Sequence, residues 1–148
     1  MASLIFFLIV LGALVISHEF GHFIAAKKTG MKVHEFGFGF PPRIFGLQFK
    51  KDNKKHWRIV KGNRDLNESD EEYGTVYSLN WLPLGGFVKI KGENGDEKED
   101  PQSFAAKKFW QKSLVLSAGV IMNVVLAAVL LIGGYIIGLP QTVDNMSD

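Results

Sequence analysis

Leu4–Ala26 reads LIFFLIVLGALVISHEFGHFIAA, an apolar run of 23 residues with two histidines and a glutamate set into its last third. As an α-helix it rises about 34 Å, enough to cross a hydrocarbon core of about 30 Å. A secretory signal peptide carries its basic residues ahead of the apolar run. Here only Met1, Ala2 and Ser3 precede it, Lys27 and Lys28 follow it, and the cleavage region is occupied by His18, Glu19 and His22. The order argues for a transmembrane helix over residues 4–26.

Outward from this stretch the chain is segregated. All 17 Lys and Arg lie between Lys27 and Lys112, and a second apolar run, Ser113–Leu139, has no charge in 27 residues. This second run predicts a second span, long enough to tilt. The whole chain of 148 residues averages 47% hydrophobic with a net charge of +2, figures that conceal the layout of a membrane protein. Lys27, Lys28 and Lys32 flank the first span, and Lys107, Lys108 and Lys112 flank the second. The outer ends carry no Lys or Arg, and the tail holds Asp144 and Asp148. The positive-inside bias therefore places residues 28–112 in the cytosol and both ends outside. The absence of cysteine excludes disulfides and thiolate metal sites. Basic residues interleaved with acidic ones, without a run of aromatics, give no support to a nucleic-acid partner.

Between the spans, the 27–112 segment reads as a small β element with polar insertions. Val33–Phe40 alternates as a strand, with Gly37 and Gly39 allowing close backbone approach, and Pro41-Pro42 is expected to end it. Residues 50–72 are highly charged and read as an exposed loop or hairpin insertion. Gly74–Leu82 and Phe87–Lys91 read as two strands about a Pro83–Gly86 turn, a hairpin over about 74–91. Its apolar residues fall on both faces, so it should lie against helices, another strand or the membrane interface. Residues 92–103 form a polar linker, and Phe104–Trp110 is expected to be a short amphipathic helix.

An ionisable side chain inside a transmembrane helix costs several kcal/mol and points to function. His18 and His22 stand four residues apart, so both imidazoles leave one helix face about a turn apart and can bind one zinc ion. Glu19 flanks such a metal without being a ligand, which suits the general base for an attacking water. Gly21 keeps the surface beside the motif small, which suits close approach of a neighbour.

Taken together, these motifs resemble the site-2 protease family of intramembrane zinc metalloproteases, specifically its bacterial branch that cleaves membrane-anchored anti-sigma factors. His18-Glu19-Phe20-Gly21-His22 matches the family's zinc motif. Phe36-Gly37-Phe38-Gly39 matches a glycine-rich segment that follows it. Trp81-Leu82-Pro83-Leu84-Gly85-Gly86-Phe87-Val88-Lys89 matches the membrane-associated β-hairpin. Ala118-Gly119-Val120-Ile121-Met122-Asn123 resembles the Gly-x-x-x-Asn pattern of the following helix.

The resemblance implies an α-helical integral membrane protein of two transmembrane helices with a small membrane-associated β-hairpin or sheet between them, forming over residues 1–148 the front part of an intramembrane metallopeptidase domain. It implies a zinc cofactor on His18 and His22, with Glu19 as the catalytic base. It also implies an edge for an unwound transmembrane substrate, similar to an anti-sigma factor, near Gly37, Phe38, Gly39, Gly85 and Gly86. Asn123 reads equally as a helix-packing amide or as a group near the site. The implied location is the bacterial inner membrane. The family completes its zinc site with an Asp from a Leu-Asp-Gly motif, and this sequence has none. His34, Glu35 and His56 are the other candidates for a third ligand, none at a spacing that demands it. The simplest expectation is a chain whose continuation supplies the Asp; the alternative is an inactive membrane scaffold or metal-binding remnant of the family.

Overall fold

The computed structural model describes residues 1–52, 55–62 and 72–138. The middle of the charged insertion, at 53–54 and 63–71, and the stretch from Leu139 through Asp144 to Asp148 lie outside the described residues.

Helix α1 runs Ala2–Lys28. Its uninterrupted apolar sequence holds the helix, and a Schellman motif stops it. Gly30 takes a left-handed φ of 70°. Its N–H donates to Lys27 O at 3.1 Å, and Met31 N–H donates back to Ala26 O at 2.9 Å. Lys27 and Lys28 sit in the last turn, where the carbonyl ends of the helix favour cations. Helix α2 runs Phe109–Ile137, with Gln111 Oε1 accepting the Lys108 N–H at 3.1 Å to cap its start. Both helices are long and apolar enough to cross a membrane, with mean hydropathy 2.2 and 2.7. In those apolar stretches only 6% and 17% of the residues are buried, so most of their greasy surface faces outward.

The two helices approach through small residues. A Cβ added at Gly21 would lie 2.8 Å from the Ala118 carbonyl carbon and 2.9 Å from Met122 Cβ, so only glycine permits this crossing. Ser17 Oγ donates to Met122 O at 3.4 Å.

The polar segment folds as a three-stranded sheet in the order β2-β1-β3, with β1 at Val33–Lys50, β2 at Trp57–Val60 and β3 at Tyr73–Ile90. Strand β2 pairs antiparallel with Gly46–Phe49, so the charged insertion carries a strand of its own. Strand β1 does not end at Pro41-Pro42, which is a cis pair inside it. Ladder partners resume directly around the prolines, Phe40 with Leu82 and Arg43 with Asn80, so their missing donors fall at the bend.

The expected hairpin about Pro83–Gly86 does not form: Tyr73–Ile90 is one strand running through those residues, and its two halves pair with β1 rather than with each other. Phe36, Gly37 and Phe38 pair with Val88, Phe87 and Gly86 on one side, and with Tyr77, Ser78 and Leu79 on the other. The first half of β1 is therefore inserted between the two arms of β3, which gives both arms the partner they need. The expected helix at Phe104–Trp110 is also absent. Phe104 folds inward instead, its N–H donating to Lys91 O at 2.7 Å, and α2 begins four residues before the predicted Ser113, at Phe109.

The core joins all these parts. Ala25, Ala26, Met31, Val33, Ile90 and Val115 are buried together, with Phe23, Val88, Phe104 and Ala118 packed against them. Phe23 and Phe36 lie 5.2 Å apart and Phe23 and Tyr77 6.0 Å, fixing the last turns of α1 on the sheet. The end of α1 that carries the histidines is thus the end held in place.

Candidate metal centre

His18 and His22 leave the same face of α1, with ring centroids 4.8 Å apart and planes at 78°. His22 Nδ1 lies 2.7 Å from the backbone oxygen of Val115 on α2. A carbonyl oxygen can only accept, so Nδ1 carries a proton, and in the neutral ring the lone pair is then on Nε2. Such an outer hydrogen bond fixes both ring orientation and ligand tautomer. The two rings crowd Gly119 of α2: a Cβ there would stand 2.6 Å from His18 Nε2 and 2.6 Å from His22 Nε2. Both nitrogens converge over a residue that has no side chain.

Two imidazoles one turn apart, one of them oriented by a backbone carbonyl through Nδ1, fit a zinc ion. Among the described residues no third His, Cys, Asp or Glu joins them closely enough to make a three-ligand site. Glu35 is committed elsewhere: it is buried and accepts from Arg43 Nε at 3.0 Å, while Arg43 Nη1 donates to Gly62 O at 3.0 Å. His34 lines a polar cavity of about 510 Å³ with Glu35 and Arg43, and burial pushes its pKa below the usual histidine range. His56 is exposed in the turn before β2. None of the three stands with the histidine pair.

Glu19 faces the sheet. A Cβ added at Gly86 would meet Glu19 Cγ at 3.4 Å and the Gly37 carbonyl oxygen at 3.0 Å, so Gly86 lets β3 pass close to the motif. Beside them lies a second cavity, of about 520 Å³, lined by Glu19, His22, Gly86, Val88, Phe104 and the exposed Glu93. Gly37, Phe38, Gly39, Gly85 and Asn123 do not line it. Gly37 makes room for the Phe87 ring and Asn80 Nδ2, and Gly39 and Gly85, with φ of 77° and 96°, shape the bends against Leu82 and Phe40. Asn123 stands one turn beyond Gly119 on α2, its Oδ1 buried without a hydrogen-bond partner. Sequence reasoning missed the Val115 carbonyl and the cavity residues Glu93 and Phe104. A backbone acceptor leaves no mark in side-chain chemistry, and the polar linker 92–103 gave no sign that it folds over the site.

A family model described as Peptidase family M50 matches residues 6–62 and 63–146. A candidate zinc metalloprotease of Clostridium perfringens is 39% identical over 130 residues, which is 88% of this chain and 32% of that protein. A candidate zinc metalloprotease of Thermotoga maritima is 32% identical over 145 residues, covering 95% of this chain and 23% of its own. The regulator of sigma E protease of Haemophilus influenzae is 33% identical over 137 residues, 90% of this chain and 26% of that one. The chain spans roughly a quarter to a third of the length of these curated relatives.

Proposed function

The chain belongs to peptidase family M50, and from that premise we propose that it forms the zinc-binding part of a protease that cuts membrane-spanning proteins within or at the edge of the bilayer. The observation that carries the reading is the His22–Val115 hydrogen bond, which aims an imidazole lone pair over Gly119 beside a glutamate that faces a cavity. Such a protein sits in the bacterial inner membrane, with α1 and α2 spanning, residues 28–112 on the cytosolic side and both ends outside, following the Lys and Arg bias.

His18 and His22 would hold the metal, with a further ligand, an Asp by the family resemblance, from outside the described residues. When bound, zinc supplies a Lewis acid that polarises the scissile carbonyl and lowers the pKa of an attacking water. Glu19 takes the proton of that water as it adds to the carbonyl carbon, then returns it to the departing amine nitrogen. Gly86–Ile90 offers the outer edge of the sheet, with β1 on its other side. An unwound substrate strand added there has its carbonyls drawn past Glu19, and the ladder replaces the hydrogen bonds lost when the substrate helix opens. The similarity to the regulator of sigma E protease makes a membrane-anchored anti-sigma factor a suitable substrate.

The test is the Glu19→Gln variant of the protein in lipid vesicles with a single-span substrate. Removal of a general base lowers cleavage by about 10²–10⁴-fold, while bound zinc, measured by elemental analysis, stays at the wild-type ratio. Full cleavage by Glu19→Gln would refute the assignment. The second reading, a metal-binding scaffold without activity, is favoured by the two-ligand count among the described residues. It predicts that neither wild type nor variant cleaves and that both bind zinc weakly.

A further inference from the structure

Glu93 lies three residues beyond the end of β3, its N–H donating to Ile90 O at 3.3 Å. It lines both cavities described above: the apolar one that holds Glu19 and His22, and the polar one beyond Phe87 and Ile90. Asp96 and the Lys89 ammonium line the polar cavity with it, and several other charges nearby are already paired. Glu35 pairs with Arg43, and Lys91 Nζ pairs with both Glu97, at 3.0 Å, and Asp100. Among the described residues the Glu93 carboxylate has no ion pair, and it is exposed. An uncommitted negative charge thus stands where an apolar pocket opens to a polar one, at the mouth that a substrate strand on the edge of β3 must pass.

We propose that Glu93 is a specificity-determining residue, taking a basic side chain of the substrate just after its apolar segment. The inference rests on the proteolytic reading above. A membrane-spanning substrate arrives with its own Lys and Arg concentrated on the cytosolic side of its apolar segment. With that segment in the cavity lined by Val88, Phe104 and Leu116, the following residues reach the rim. A cation there meets Glu93, and a carboxylate is repelled, so the charge sets how far the substrate is threaded before its carbonyl faces Glu19. Complementary charges at such a rim act on selection and register more than on raw affinity.

The experiment uses three single-span peptides that differ only in carrying Lys-Lys, Gln-Gln or Glu-Glu directly after the apolar run. They are presented to wild type, Glu93→Gln and Glu93→Lys in zwitterionic vesicles, which removes lipid charge as a cause. Cleavage is read as kcat/KM, and binding is read separately as crosslinking of the same peptides to the three proteins, each also carrying Glu19→Gln. Wild type should prefer Lys-Lys over Glu-Glu by about tenfold, Glu93→Gln should flatten the order and Glu93→Lys should invert it. Loss of folding cannot produce an inversion. The same charge order in all three proteins overturns the proposal and leaves the protease reading intact. Crosslinking that follows the charge at residue 93, with no cleavage by wild type, sustains the acidic rim and removes the protease reading.

Discussion

The helix pair and the sheet both bury polar groups, and they treat them in opposite ways. In the sheet the buried polar groups close on one another, with the Asn80 Oδ1 as an exception among the described residues. Glu35 and Arg43 form a buried two-pronged pair, Thr75 Oγ1 donates to Val33 O at 2.9 Å, and Gln48 Nε2 donates to Gly74 O at 2.8 Å while its Oε1 accepts from Arg58 Nε at 3.0 Å. Between the helices, His22 spends one nitrogen on Val115 O and leaves the other aimed over Gly119. A buried polar group whose valences are all used holds a fold together. One with a nitrogen held open is kept for a ligand.

The contrast can be broken experimentally at each side. The largest effect belongs to the sheet. Arg43→Ala strands the Glu35 carboxylate and should destabilise the protein by about 3–5 kcal/mol, read from denaturant unfolding. Replacing both partners by leucine should cost much less, because no charge is then left buried. An equal loss in the single and double variants would mean that the pair's packing, not its charge, holds the sheet. The next effect belongs to the helices: Gly119→Val drives a side chain into both rings and should weaken zinc binding by about 10–100-fold, measured by competition with a chelator. Sheet stability should not change; if it falls with zinc affinity, the two regions are one cooperative unit and the distinction fails.

The smallest effect concerns the linker that follows β3, from which Glu93 reaches the cavity. The hydrogen bond from the Lys91 ammonium, helped by the Gln102 N–H, holds the Asp100 carboxyl below its ordinary pKa of 3.8. A depressed carboxyl binds fewer protons folded than unfolded. Its contribution is therefore present above pH 3.8 and lost as pH falls through the lower folded value. Amide exchange in residues 92–103 should quicken in that acid window, and Asp100→Asn should show the faster exchange at every pH.

How much of this was legible beforehand depends on which force placed each part. The two long apolar helices were, because about twenty consecutive apolar residues have few other solutions. That His18 and His22 share one face was, because helical spacing alone dictates it. The closeness of Gly86 to Glu19 was not, since it follows from the pairing of β3 with β1. The inserted first half of β1 was not legible, since Val33–Phe40 and the arms of β3 each read as strands and nothing local says which pairs with which. Pro41-Pro42 was taken for a stop, but a proline breaks a strand only where a donor is needed, and here none is. Phe104 was assigned to a surface helix by its amphipathic neighbours, yet it is held inward by Lys91 O and the core around Val115.

The bond between His22 and Val115 joins residues 93 positions apart. A ribosome adding about 5–20 residues per second takes roughly 5–20 s to travel that distance. Throughout that interval the newborn chain displays the whole His-Glu-Phe-Gly-His sequence without the carbonyl that orients it or the α2 glycine that shelters it. A nascent chain stalled before residue 115 would carry the motif intact and have no site. The timing of synthesis, as well as the spelling of the motif, decides when the two rings can first be oriented.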